Sequence, residues 1–532
     1  DCWDVYRATM VPHFPLSPEE ERETIRGFNA MIDALLARDD LFCHRENALA
    51  NAFSVAYYYT ECDYKEEYSK WVRLKATLNK NLEYFSPRLA YERDDRYLSS
   101  RESKASLKRL KRRKIKLGVV SSFFTPDSSI WGNFGYVVRG LQQDKRFEVD
   151  FVYFPRNPIT KEDKLLSLHP ESNIYLEAHQ MGQSVLDANR KKIEARKFDV
   201  LLYLDLHMTG EMHDYAMAKL APVQITTHGH PVTSGIPELI MDYFLSWDLA
   251  ELPDKLRAQT FYTEKLLLIN SNKQAWEYFV PRTKDEVSVI KGHAPFSHFT
   301  RENIDFIPDE GMRKLSVENA TWYFCPQAAF KYHVTFDRIL GEIQKRDSSA
   351  VIILMQLTSD TFEDLHFKVI KRLSTHGGVD LSRVVFVPRM QHYQLMAMYK
   401  LSDVVLDSVY FGGDTTTREA FEVGSPVVTL PGKTIGQRWT QAYYKVMGIL
   451  DYVVDTADEY VSVATKFANA DGETKLRARE RIKTAYHEKL VANPEAPKLW
   501  GDAIFRAATA PTRWHWHDQV GTNAKKRTRD EF

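Results

Sequence analysis

Cysteine is scarce in this 532-residue chain, which has only Cys2, Cys43, Cys62 and Cys325. None forms a CxxC pair or a Cys/His cluster at zinc-ligand spacing, so no metal site is expected. Four cysteines over this length do not make a disulfide framework, which favours a reducing compartment. Long apolar runs are missing as well. No stretch reaches the roughly 18 residues of a membrane-spanning helix, so no membrane span is expected. Net charge is absent, with 72 Lys and Arg against 72 Asp and Glu. Whole-chain electrostatics therefore gives no reason to expect a nucleic-acid partner. A GxGxxG fingerprint and a P-loop are both lacking, which disfavours ordinary dinucleotide or ATP binding. No repeat of about 34 residues recurs, so a tetratricopeptide array is not expected within the chain.

What is present reads as globular: 44% hydrophobic and 27% charged residues, over a length that calls for two or three domains. Residues 1–100 read as helical. Ser17 suits an N-cap, Pro18 the first helical position, and Glu19 and Glu20 the first turn. Ile25, Phe28, Ile32 and Leu35 follow at helical spacing, and two more helices fit 45–60 and 65–84. Residues 101–114 form a basic linker, open to reading as a localisation signal, an acidic-surface contact or a solvated connector. The polar tail 510–532 ends in Arg529-Asp530-Glu531-Phe532, which loosely resembles an endoplasmic-reticulum retrieval signal. The expected location is cytoplasmic, with the nucleus second and the endoplasmic reticulum a further alternative.

From residue 115 the texture changes. Strands fit Ile115–Ser121, Phe147–Tyr153, Phe198–Asp205, Val223–Thr227 and Met241–Ser246, with helical patterns between several of them. The pattern restarts with strands at Ala320–Cys325, Ala350–Met355, Arg383–Val387, Asp403–Asp407 and Pro426–Leu430. Helices fit Val334–Lys345, Phe362–Thr375, Gln391–Leu401, Thr416–Val423 and Thr434–Met447. This alternation predicts an α/β chain of two tandem Rossmann-like domains, 115–312 and 313–509, facing a cleft.

Three segments carry chemistry. Leu406 to Ala420 reads as a strand end, a Gly412-Gly413 turn, then Thr415-Thr416-Thr417 opening a helix. Glycines let a backbone approach a ligand, and a helix N-terminus suits a diphosphate. Glu419, one turn in, could accept from a ribose hydroxyl. The same residues would equally serve a plain threonine-capped helix start. His228-Gly229-His230-Pro231-Val232-Thr233-Ser234-Gly235 follows a strand and suits a substrate loop. Cys325 to His333 follows the opening strand of the second domain. Lys331 there could neutralise a departing diphosphate or be a surface lysine.

Together these segments resemble the O-linked N-acetylglucosamine transferase family of inverting GT-B glycosyltransferases. That family includes plant Spindly-type O-fucosyltransferases and bacterial N-glucosyltransferases. The resemblance spans about Ile115 to Ala507 and is nearer to bacterial-type members. It includes Leu117-Gly118-Val119-Val120-Ser121-Ser122, Leu220-Ala221-Pro222-Val223-Gln224 and Gly424-Ser425-Pro426-Val427-Val428-Thr429-Leu430-Pro431-Gly432. It implies a GT-B fold, a UDP-sugar co-substrate with no required cofactor, and a protein or peptide acceptor. UDP-GlcNAc ranks before UDP-glucose and GDP-fucose. The acceptor it implies is a Ser/Thr hydroxyl, with asparagine N-glucosylation and a non-catalytic sugar-nucleotide-binding scaffold as alternatives.

The resemblance assigns Lys331 to the donor diphosphate. Gly413, Asp414, Thr415 and Thr416 would hold its phosphates, Glu419 the ribose, and Met390 and His392 the base. Gly229, His230 and Thr233 would border the donor sugar. Asp127 stands where the family has a histidine near the acceptor; it could act as general base or cap the helix from Ser129. Asp414 stands in place of the histidine in a His-Thr-Thr segment. A carboxylate there repels a diphosphate unless it points away or binds a cation.

Overall fold

The computed structural model describes residues 2–9, 15–41, 64–89, 113–125, 128–155, 167–177, 183–281, 296–356 and 363–510. The helix expected at 45–60, most of the basic linker, Asp127 and the tail beyond 510 lie outside these residues.

The first domain is built on β1 (Ile115–Ser121), β2 (Phe147–Tyr153), β3 (Ile174–Tyr175), β4 (Val200–Tyr203), β5 (Val223–Thr227), β6 (Tyr243–Trp247) and β7 (Lys265–Ile269). They form one parallel sheet in the order β3-β2-β1-β4-β5-β6-β7. β4 and β5 are buried along their whole length, as expected of strands covered on both faces. The second domain repeats the scheme with β8 (Thr321–Cys325), β9 (Ala350–Met355), β10 (Val384–Val387), β11 (Val404–Leu406) and β12 (Val427–Val428). Their order is β10-β9-β8-β11-β12, again all parallel. Both sheets reverse direction of winding once, between β1 and β4 and between β8 and β11. Such switch points open a crevice beyond the strands' carboxyl ends.

The helix Pro18–Leu36 starts as the sequence predicts, with the Ser17 side chain accepting from the Glu20 amide at 3.2 Å. Phe28, Ile32 and Leu35 are buried on its inner face. The helix Lys65–Leu78 lays Tyr68 against Gly235, where φ is +72° and a Cβ would lie 2.5 Å from the Tyr68 backbone.

Several boundaries moved. β3 and β7, not expected from the sequence, extend the first sheet at both edges. The expected helix Thr434–Met447 divides into a turn, Ile435–Gln437, and the helix Trp439–Met447, because Arg438 at φ −133° leaves helical geometry. A further helix occupies Ala457–Ala468. The last helix, Ala496–Thr509, belongs to the second domain by sequence order but packs on the first. Pro497 lies against Gly140, and Trp500 is fully buried beside Phe134 and Trp276. Cys2 is disulfide-bonded, against the reduced state expected, while Cys325 is free and buried. Among the described residues, no helix is long and apolar enough to cross a membrane.

Candidate active site

Two loops leave the second sheet at its switch point. β8 runs into residues 326–333 and β11 into residues 407–414. Lys331 ends the short turn Ala329–Lys331 in the first loop. Its ammonium donates to Gln327 Oε1 at 2.9 Å and lies 4.8 Å from the centre of the Phe411 ring. Gln327 donates through Nε2 to Thr416 Oγ1 at 2.6 Å. Gly413 fits between them: a Cβ there would meet both Gln327 Nε2 and Thr416 Oγ1 at 2.4 Å. A glycine here lets the backbone pass this close with neither side chain displaced. The result is one cluster holding a cation, an amide, a hydroxyl and the start of the helix Thr415–Glu422.

Asp407 anchors the second loop. Its carboxylate accepts from the Gly413 amide at 2.8 Å, from Thr429 Oγ1 at 2.9 Å and from Thr440 Oγ1 at 2.8 Å. Burial raises its pKa, and these donors oppose the rise. Tyr410 turns the loop at φ +74°, a left-handed conformation that a non-glycine residue holds only when its surroundings enforce it. Burial pushes the Lys331 ammonium down to about 8, with Asp407, Cys325 and Asp414 pulling the other way.

Asp414 lies where the helix begins, and its two oxygens are committed sideways. Oδ1 accepts from Arg418 Nε at 3.2 Å and from the Tyr443 hydroxyl at 2.5 Å; Oδ2 accepts from Asn133 Nδ2 at 2.7 Å. Asn133 belongs to the first domain and also accepts from Arg418 Nη2, at 2.6 Å. Burial is the largest influence on Asp414 and opposes its ionisation, but the Arg418 charge, His228 and the hydrogen bonds from Tyr443 and Arg418 together outweigh it, and the pKa ends below the usual carboxylate range. Its charge is therefore matched by Arg418, which answers the repulsion anticipated from the sequence. Gln327, Asn133, Asp407, Arg418 and Tyr443 received no role from the sequence. Arg418, four residues after Asp414, carried a helical-pair signal; Asn133 had none.

The other expected residues fall in two places. His392 Nε2 and Glu419 Oε1 meet at 3.1 Å, and Tyr399 reaches the same carboxylate at 3.5 Å. Met390, half-buried, lies two residues before His392. This pair is tied to the cluster of Lys331, Gln327 and Thr416 by the helix Thr415–Glu422. From the first domain comes His230, with its ring 6.2 Å from that of Phe411. Burial lowers its pKa well below the ordinary histidine value, and His207 and Lys331 add to the effect. Its imidazole is therefore neutral near pH 7. Gly229 is filled tightly from below, since a Cβ would lie 2.0 Å from the Leu204 carbonyl. The Thr233 hydroxyl donates to Glu264 Oε2 at 2.8 Å and accepts from the Thr263 amide at 3.0 Å, so it is engaged inside the first domain. Among the described residues, no three His, Cys, Asp or Glu side chains gather as a metal site.

Residues 332–494 match the family described as glycosyl transferase family 41. A Hordeum vulgare protein named probable UDP-N-acetylglucosamine–peptide N-acetylglucosaminyltransferase SPINDLY is 23% identical over 60% of this chain and 30% of its own length. A Caenorhabditis elegans UDP-N-acetylglucosamine–peptide N-acetylglucosaminyltransferase is 30% identical over 21% of this chain and 10% of its own length. The matched stretch thus spans less than a third of either relative. Among solved structures, a Thermobaculum terrenum O-GlcNAc transferase mutant shares the fold at a TM-score of 0.59 and 18% identity, over 93% of this chain and 88% of that one. Two parallel sheets in GT-B arrangement and the family 41 match over residues 332–494 agree with the segments quoted from the sequence: the chain is similar to O-GlcNAc transferase-type glycosyltransferases.

Proposed function

We propose that this chain is an inverting glycosyltransferase that moves N-acetylglucosamine from UDP-N-acetylglucosamine to a Ser or Thr hydroxyl of a protein. The observation that carries the reading is the convergence of Lys331, Gln327, Thr416 and the start of the helix Thr415–Glu422 around Gly413. A diphosphate seated there would meet an ammonium, a hydroxyl and a helix N-terminus. Glu419, buttressed by His392, would take the ribose, and Met390 would border the base.

The reaction is a single displacement. The acceptor oxygen attacks the anomeric carbon from the face opposite the leaving group, and the bond to the diphosphate oxygen breaks. The electron pair leaves with the diphosphate, where Lys331 and the helix end stabilise the developing charge in place of a metal ion. Asp127 is proposed to take the acceptor proton. His230, neutral, offers a hydrogen bond to the donor sugar without adding charge.

The test is a thermal-shift panel with UDP, UDP-GlcNAc, UDP-glucose, GDP and GDP-fucose, repeated with Lys331→Ala. A ligand of the folded state stabilises it by about 2.7 kcal/mol at about 100 times its dissociation constant. A shift with uridine nucleotides that shrinks in Lys331→Ala is expected. Shifts confined to guanosine nucleotides would transfer the donor to GDP-fucose, and no shift at all would remove the donor site.

A further inference from the structure

The first-turn residue Glu21 of the helix Pro18–Leu36 is buried, and its Oε2 lies 2.5 Å from His333 Nε2, which is also buried. His333 caps the helix Val334–Arg346 by accepting from the Thr335 amide on Nδ1, at 3.1 Å. An Nδ1 that accepts places the ring proton on Nε2, so His333 donates to the Glu21 carboxylate. A few residues earlier, the Pro15 carbonyl accepts from Arg372 Nη1 at 3.2 Å, and Arg372 Nη2 donates to the Tyr332 carbonyl at 2.5 Å. The segment from Pro15 to Glu21 therefore holds Tyr332 and His333, the two residues directly after Lys331, one through Arg372 and the other directly.

The contact continues to the opposite wall. The His333 ring stands edge-on to Tyr410, with centroids 4.8 Å apart. Tyr410 is the residue in left-handed conformation, and the next residue, Phe411, places its ring 4.8 Å from the Lys331 ammonium. Apolar side chains would fill the space between two helices without the desolvation cost of a buried carboxylate and imidazole. What the polar pair adds is direction: one donor, one acceptor and a fixed ring plane.

We propose that the segment Pro15–Glu21 is a working part of the donor site, with Glu21 a positioning residue that sets Lys331 and Phe411 through His333 and Tyr410. This inference rests on the reading of the Lys331 loop as a diphosphate site. It makes the N-terminal helices part of donor binding, so a protein docked on those helices has a direct mechanical route to the leaving group.

Calorimetric titration of the full chain with UDP and with uridine, which lacks the diphosphate, tests it. Glu21→Ala is expected to weaken UDP by about tenfold, the scale of one misplaced charge-assisted hydrogen bond, and to leave uridine unchanged. Glu21→Gln, whose amide oxygen still accepts from Nε2–H, restores UDP binding. In the Lys331→Ala background, Glu21→Ala adds no further loss. His333→Asn keeps the helix cap but falls short of Glu21; it reproduces the UDP-selective loss and carries the test if Glu21→Ala does not fold. Equal weakening of UDP and uridine, or unchanged UDP binding in Glu21→Ala and His333→Asn, overturns the proposal while the donor site stands. A wild-type chain that binds no UDP overturns both.

Discussion

At Lys331 burial and nearby negative charge compete, and burial prevails, leaving the ammonium near pH 8. A bound diphosphate favours the charged form and raises that value. Affinity must then follow the protonated fraction of the free site. UDP binding is expected to be level around neutral pH and to fall about tenfold per unit well above pH ~8, by linkage. Titrations across that range check it, and Lys331→Met should remove the fall together with most of the affinity. Gly413 gives a second prediction. The atoms a Cβ would strike at 2.4 Å are the ends of the Gln327 and Thr416 side chains, which can swing aside. Gly413→Ala is therefore expected to lower nucleotide affinity at least tenfold while the melting temperature stays within a few degrees, since flexible ends yield at small cost. Unchanged affinity would mean that the contact is not part of the site. Lys331, Gly413 and Thr416 stood out in the sequence because each follows a strand end. The orientation of Asp414 did not, because its partner Asn133 comes from another domain.

Among the elements, the strands with continuous buried faces were the legible ones. β1, β2, β5 and β9 begin and end where their β-branched and aromatic runs do. β3 spans two residues and β7 starts on exposed Lys265; both lie at sheet edges, where pairing rather than composition makes the strand. The helices Val334–Arg346 and Glu363–Thr375 are joined by a buried pair, in which Arg372 Nε donates to Asp337 Oδ2 at 2.5 Å. Removing one partner strands a buried charge. Asp337→Asn is expected to destabilise the chain by about 3–5 kcal/mol, read as a lower denaturant midpoint. A change below about 1 kcal/mol would mean that water or another group satisfies Arg372.

At the scale of the molecule, the two domains are held by contacts that no single segment announces. The Gly412 amide donates to the Gly436 carbonyl at 3.0 Å, and Gly436 in turn packs on Pro231 of the first domain. The helix Ala496–Thr509 closes the chain on the first sheet through Trp500, whose indole nitrogen donates to the Trp276 carbonyl at 3.0 Å. Trp500→Ala removes a fully buried ring and this bond together, and is expected to cost about 3–5 kcal/mol in chemical denaturation. Because the ring seats the last helix on the first domain, the loss should come with weaker UDP binding. Retained binding at full affinity would show that the return helix does not hold the cleft.

Local pattern was enough to determine two doubly wound domains, the glycine-threonine turn and the lysine after β8. Each depends on neighbours within a few residues: strand period, a close-approach glycine, a helix start. What tertiary structure alone decided lies between segments far apart in the chain. Asp414 turns toward Asn133 and Arg418, the last helix recrosses to the first domain, and Glu21 reaches His333. A buried polar group takes whichever partner the packed chain brings within about 3 Å, and one-dimensional spacing carries no record of that choice.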